Sequence, residues 1–213
     1  MNFMLAPGTD IPSEKAKHLH LRTIIDPDLT KWAKQGEPRM LAKQHGLSLV
    51  AQNFVHPKTG KVEEYTQFTK SPGFTIVPVT TDGELIIVRQ YKQAVDDFVY
   101  EFPAGLMKAD EATTTHATTE LLEETGCRPT RVLRLTERMI ELAPRKSPSG
   151  YHLFIALGCQ LIKEQDLEED EDAIQVLVAS TAEVAAMIIR GEFRSTESVT
   201  AFLLAQLHGH FNR

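Results

Sequence analysis

Residues 105–127 read GLMKADEATTTHATTELLEETGC, and the reading of this stretch decides the rest. Gly126 is a good helix stop, Pro129 lies just beyond it, and Asp110 with Glu111 suits a helix start, so the stretch predicts one helix. Glu120, Glu123 and Glu124 then stand at i, i+3 and i+4 and share one helix face. They also occupy the last two turns, at the negative end of the helix dipole. Each like-charge pair costs roughly 0.2–0.5 kcal/mol, and each acid at the wrong end costs roughly 0.3–1 kcal/mol more. Six threonines (Thr113, Thr114, Thr115, Thr118, Thr119 and Thr125) weaken helicity further. A helix that breaks this many local rules points to a functional site. A divalent cation turns the repulsion into attraction, and an all-oxygen donor set suits Mg²⁺ or Mn²⁺ rather than Zn²⁺. An isolated ExxEE motif is more often a solvated helix face, so the wider pattern has to carry the argument. His116, one turn before Glu120, reads as an exposed helix residue.

Working outward, strand signals precede the helix. Residues 47–55 and 62–69 flank a His56-Pro57-Lys58-Thr59-Gly60 turn. Residues 74–79 (FTIVPV) and 84–91 (ELIIVRQY) flank Thr80-Thr81-Asp82-Gly83, and residues 98–102 form a further short strand. Beyond the helix, residues 132–139, 151–157 and 174–178 are strand-like. Residues 181–190 and 196–208 are helical, with Gly191 as a stop. Residues 27–35 (PDLTKWAKQ) read as a short helix with Pro27 in its first turn. The order of strands, helix, strands and helices predicts a mixed α+β sandwich. It divides into an N-terminal segment of antiparallel strands (1–70) and a main domain (71–213).

Of the chain's 213 residues, 42% are hydrophobic and 24% charged, which is ordinary for a folded protein. The net charge is −6, yet residues 164–172 (EQDLEEDED) hold seven acids; without them the charge becomes +1. The acidity is therefore local. No basic stripe suggests nucleic acid, and no apolar run approaches the roughly 20 residues that cross a bilayer. The first residues lack a signal-peptide pattern. The two cysteines, Cys127 and Cys159, have no metal-site spacing, so a cytoplasmic protein is expected.

From Gly105 the spacing is five residues to Glu111, eight more, then Glu120-Leu121-Leu122-Glu123-Glu124-Thr125-Gly126-Cys127. This resembles the Nudix box, GX5EX7REUXEEXGU, with both glycines and all four glutamates in place. Thr119 stands where that pattern has an arginine that orients a catalytic glutamate, and His116 is the residue that could substitute for it in part, against its plainer reading as an exposed helix residue. The preceding segment, residues 87–106, is similar to the lead-in of ADP-ribose and ADP-sugar pyrophosphatases, through Val88, Gln90, Tyr91, Glu101, Pro103, Ala104 and Gly105. Lys92 replaces the usual arginine, which matters because an ammonium does not reproduce a guanidinium's bidentate grip on phosphate. The Ser147-Pro148-Ser149-Gly150 loop is also similar.

The resemblance implies a Nudix fold, an α/β/α sandwich around a mixed sheet, following a small antiparallel β domain through which two copies pair as a homodimer. It implies Mg²⁺- or Mn²⁺-dependent hydrolysis of a nucleotide sugar to a nucleoside monophosphate and a sugar phosphate. Glu120, Glu123, Glu124 and the Ala104 carbonyl are the implied metal ligands, with Glu111 supporting. Glu120 and Glu123 serve the chemistry. Lys92, Arg89 and Gly105 lie at the phosphates, with Lys92 preferred because strand alternation sends Arg89 and Lys92 to opposite faces. The general base falls in the acidic run, at Glu171 or Asp172 ahead of Asp170. Tyr65 is the candidate to stack on the base, with Trp32 and Phe68 as alternatives. Thr119 and Lys92 leave open a Nudix-fold binding or regulatory module with little turnover. Hydrolysis of another nucleoside diphosphate derivative is also left open.

Overall fold

The computed structural model describes residues 30–107, 113–167 and 173–211. These pack as two units, one of residues 71–142 with 149–211, the other of residues 30–70 with 143–148. Among the described residues no helix is long and apolar enough to cross a membrane.

The smaller unit is an antiparallel sheet of β1 (Ala33–Gln44), β2 (Leu47–Val55) and β3 (Val62–Thr69) in that order. The expected helix at 27–35 is not formed in its described part: residues 30–32 lie outside any element, and Ala33–Gln35 pair with Asn53–Val55. Two features hide β1 from a sequence reading. Gly36, at φ 66°, and Pro38 fall in a bulge that shifts the register between Gln35 and Arg39. The hairpin turn is His45-Gly46, both at positive φ (44° and 74°), so a histidine takes a place usually given to Asn or Asp. Trp32 packs edge-on against His56 and Tyr65 instead of joining a helix.

The larger unit is built on a nine-stranded mixed sheet. Its main order is β10 (Ile140–Glu141), β11 (Gly150–Leu161), β4 (Gly73–Thr80), β5 (Leu85–Lys92) and β12 (Gln175–Ala179). β4 and β11 run parallel through the centre. β4 and β5 leave their hairpin paired only at Val79–Leu85 and then diverge. The chain fills the divergence: β6 (Asp97–Glu101) pairs with β5, and β7 (Ala104–Leu106) pairs with β4. β8 (Cys127–Arg128) and β9 (Arg131–Arg134) add to β11. The strand expected at 132–139 is thus shorter, and Leu135, past its end, is buried with its N–H on the Leu153 carbonyl.

Central strands covered on both faces read as near-continuous apolar runs. Phe74, Ile76, Ile86, Phe154 and Ala156 face Ala117 and Leu121 of α1 (Thr113–Thr125). The alternate residues Val77, Val79, Leu85, Ile87, Leu153 and Ile155 face α2 (Thr181–Arg190) and α3 (Thr196–Leu207), through Val184, Ala201, Phe202 and Ala205. Helices therefore cover both faces, giving the expected α+β sandwich. α2 begins with a Ser180–Glu183 capping box and ends, as expected, at Gly191, which takes the left-handed conformation.

The C-terminal end of α1 has no basic residue, and it is closed by chain from the end of β11. Gly126 N–H donates to the Leu122 carbonyl at 2.9 Å and Asp166 N–H to the Glu123 carbonyl at 2.9 Å. The Gln165 amide donates to the Glu124 carbonyl at 2.5 Å and to the Ile174 carbonyl at 3.0 Å. The orphan carbonyls of a helix end are thereby satisfied, and the two described ends of the acidic segment are tied to this helix and to each other. The threonines are accommodated by bonding back along the helix: Thr118, Thr119 and Thr125 hydroxyls donate to the carbonyls four residues earlier.

Gly126 sits at φ 70°, and a Cβ there would lie 2.1 Å from the Lys163 carbonyl oxygen. Gly126→Ala is expected to destabilise the protein by more than the roughly 1–2 kcal/mol of the left-handed penalty alone, read from the urea midpoint. Gln165→Leu removes two hydrogen bonds and should cost about 1–2 kcal/mol. Faster hydrogen exchange at the Asp166 amide should accompany that loss; an unchanged exchange rate would show that the clasp holds nothing.

Candidate active site

Ala117 and Leu121, one turn apart and fully buried, seat α1 on the sheet. The neighbouring line of the helix carries His116, Glu120 and Glu124, spaced i, i+4 and i+8. The sheet contact therefore fixes the line on which these carboxylates stand. Glu124 is buried, the Glu120 side chain is 17% exposed, and Glu123 is half-buried. Thr119, by contrast, is exposed, with its hydroxyl 3.2 Å from the Thr115 carbonyl.

His116 is not the exposed helix residue that the sequence suggested. It is 1% exposed, because the helix face that carries it turns toward β7 and Phe74. Its Nε2 lies 2.9 Å from the Leu106 carbonyl and 3.2 Å from Glu120 Oε1. The Phe74 ring meets the imidazole edge-on at 5.6 Å between centroids.

β7 presents backbone oxygen to the same place. The bonds Ile76 N–H to Pro103 O and Met107 N–H to Pro72 O flank the Thr75–Ala104 and Gly73–Leu106 pairs. Both are thus non-hydrogen-bonded pairs of the antiparallel ladder, so the Ala104 and Leu106 carbonyls point off the edge away from β4. The Leu106 carbonyl meets His116 of α1, which shows that this edge faces the helix. Gly105 lies in the middle of this strand. A Cβ on it would come 2.9 Å from the Phe74 ring and 3.6 Å from the Glu120 carboxyl carbon. Glycine therefore allows the close approach of backbone to carboxylate.

The two candidate cations on β5 part company as alternation requires. Ile86 faces α1 and Leu85 and Ile87 face α2 and α3, so Lys92 shares the α1 face and Arg89 the other. Lys92 Nζ lies 2.7 Å from Glu101 Oε1, the oxygen that also accepts from Gln90 Nε2 at 2.7 Å. Arg89 lies over the Phe98 ring at 4.5 Å and the Tyr100 ring at 5.5 Å. Tyr65 belongs to the smaller unit, edge-on to Trp32 and Phe54, with its hydroxyl 3.3 Å from Glu63. Glu111, Asp170, Glu171 and Asp172 lie outside the described residues.

Neither Glu101, one residue of the lead-in motif, nor Gln165 stands out as functional in the sequence. Gln165 carries no signal of its own, being one amide in an acidic run. Both cysteines are free and buried. Burial, with Cys127 nearby, pushes the Cys159 thiol up to about 12, and burial also raises Cys127, so neither is a thiolate nucleophile at neutral pH.

Among the described residues no three His, Cys, Asp or Glu side chains gather closely enough to hold a metal ion by themselves. Mg²⁺ does not require such a cage. It keeps several waters and binds through one or two carboxylates together with substrate phosphates. The hard-oxygen set of Glu120, Glu124 and the outward Ala104 carbonyl fits it.

The family model described as the NUDIX domain matches residues 69–199. An ADP-ribose pyrophosphatase of Bacillus subtilis is 25% identical over 143 residues, 66% of this chain and 76% of that relative. An ADP-ribose pyrophosphatase of Mycobacterium tuberculosis is 26% identical over 129 residues, 60% of this chain and 61% of its own length. A solved structure described as an ADP compounds hydrolase superposes with a TM-score of 0.73 at 21% identity, covering 87% of this chain and 98% of that one. That likeness carries the fold. The family match spans more than half of the chain and includes the helix with its line of carboxylates and the strand whose carbonyls face it, and the chain belongs to the NUDIX domain family.

Proposed function

We propose that this protein hydrolyses the pyrophosphate bond of ADP-ribose or a related nucleotide sugar, giving a nucleoside monophosphate and a sugar phosphate. The observation that carries the reading is the α1–β7 juxtaposition. Glu120 stands beside Gly105, at the outward carbonyl edge of β7, on the sheet face that Lys92 shares. The similarity to two ADP-ribose pyrophosphatases supports the substrate class.

When bound, Mg²⁺ or Mn²⁺ neutralises phosphate oxygens and acidifies water. In this reading Glu120, Glu123, Glu124 and the Ala104 carbonyl hold the cation, and Glu111 supports them. Lys92 binds a phosphate, and Glu101 with Gln90 fixes where its ammonium sits. Gly105 leaves room for the phosphates. Arg89, on the opposite sheet face, contributes less. A carboxylate of the acidic segment, Glu171 or Asp172 before Asp170, takes the proton of the attacking water. Gln165 holds the ends of that segment to the metal-binding helix. Tyr65 stacks on the base. Residues 71–213 form the hydrolase domain and residues 1–70 a dimerisation domain, whose exposed Met40, Leu41, Leu47 and Leu49 supply apolar surface for a second copy. Two free thiols suit a reducing cytoplasm.

Incubation with ADP-ribose and MgCl₂ should release AMP and ribose phosphate, and EDTA should stop it. Binding of a nucleotide-sugar panel without any cleavage would instead establish a binding module. Glu120→Gln or Glu124→Gln should lower turnover at least about 100-fold, beyond the 10–100-fold typical of losing a supporting partner. Melting temperature should hold or rise, because each change removes a like charge from the wrong end of a helix. Lys92→Met should act mainly through KM; an unchanged KM would remove Lys92 from the phosphate site.

A further inference from the structure

We propose that His116 is the positioning residue for Glu120, linking that carboxylate to the backbone of β7; this rests on the metal-binding role of Glu120 proposed above. Three observations carry it. First, the Leu106 carbonyl is only an acceptor, so at 2.9 Å His116 Nε2 must bear the proton. Glu120 Oε1 lies 3.2 Å from the same nitrogen, so the carboxylate sits in polar contact with a ring that the strand holds. Second, the imidazole has no freedom to turn away. It is 1% exposed and meets the Phe74 ring, which itself fills the space in front of Gly105. Third, Thr119 does not perform this task. It is exposed, and its hydroxyl is used on the Thr115 carbonyl.

The consequence is geometric. Leu106 and Ala104 offer their carbonyls from the same edge of a three-residue strand. A ring anchored on the first and in polar contact with Glu120 fixes that carboxylate relative to the second. Two of the proposed ligands, one on the helix and one on the strand, are thereby held in register before any cation arrives. A ligand whose orientation is set by a hydrogen-bonded neighbour binds metal more tightly, and removal of such a neighbour typically costs 10–100-fold in affinity.

A merely structural histidine, satisfied by Leu106 and packed on Phe74, is the competing account. Two polar replacements separate the two, because a glutamine amide nitrogen reaches about as far as Nε2 and an asparagine amide does not. Mn²⁺ binding to the substrate-free protein, followed by electron paramagnetic resonance, is the readout, with kcat and KM for ADP-ribose measured alongside. His116→Gln should bind Mn²⁺ close to wild type. His116→Asn should bind about 10–100-fold more weakly, with kcat falling and KM for ADP-ribose nearly unchanged at saturating metal. Equal Mn²⁺ affinity in the two variants, at whatever level, overturns the proposal. If Glu120→Gln loses Mn²⁺ while the two histidine variants match, only the positioning role fails. If wild type and Glu120→Gln bind Mn²⁺ alike, the metal role of Glu120 fails and this inference with it.

Discussion

The burial of Ala117 and Leu121 against Phe74, Ile76, Phe154 and Ala156 is the contact from which the rest of the site follows. It holds α1 on the sheet in one rotational setting, and that setting decides which way every other side chain of the helix points. The neighbouring line, His116, Glu120 and Glu124, is turned toward β7. The cost is a concentration of negative charge at a helix end that already carries the negative pole of the dipole. Lys or Arg in the last turn would relieve it, but the helix has none there. Neutral donors take their place: the Gly126 and Asp166 amides and the Gln165 side chain. They satisfy the carbonyls without bringing positive charge to the helix end.

The sheet contributes through its divergence. Because β4 and β5 separate after a single pair, the returning chain runs along β5 as β6 and then crosses to β4 as β7. The crossing turns an edge of β7 toward α1 with two carbonyls exposed to it. It also brings Glu101, at the end of β6, opposite Val88 and onto the face that holds Gln90 and Lys92. The backbone oxygen and the fixed lysine are thus products of one topological feature. Had β4 and β5 stayed paired along their length, β7 would have no strand edge to join and its carbonyls would face elsewhere.

Local signals sufficed for much of this. The glycine stops at Gly126 and Gly191, the hairpin at Asp82-Gly83 and the apolar strand at 74–79 are short-range patterns, and each appears where the sequence places it. The sandwich follows, since strands apolar on both faces need helices on both sides. β1 failed because its bulge and its histidine turn imitate irregular chain, and its pairing with β2 supplies what its own residues lack. The C-terminal half of the stretch at 132–139 failed for the opposite reason: Leu135 is apolar, buried and still bonded to the Leu153 carbonyl, but residues 136–139 beyond it lie in no strand.

The sequence by itself determined the family pattern, the helix with three carboxylates on one face, and the opposite orientation of Arg89 and Lys92. All of these depend on spacing within one element, where 3.6- and 2-residue periods act. Only the tertiary structure decided that His116 is buried between β7 and Glu120, that Gln165 clasps the end of α1, and that Glu101 holds Lys92. Apart from the single helical turn between His116 and Glu120, these contacts join different elements, by 41 positions in the case of Gln165 and Glu124. A hydrogen bond between distant segments leaves no period in the sequence, because it depends on where the sheet places each segment and not on the residues beside it.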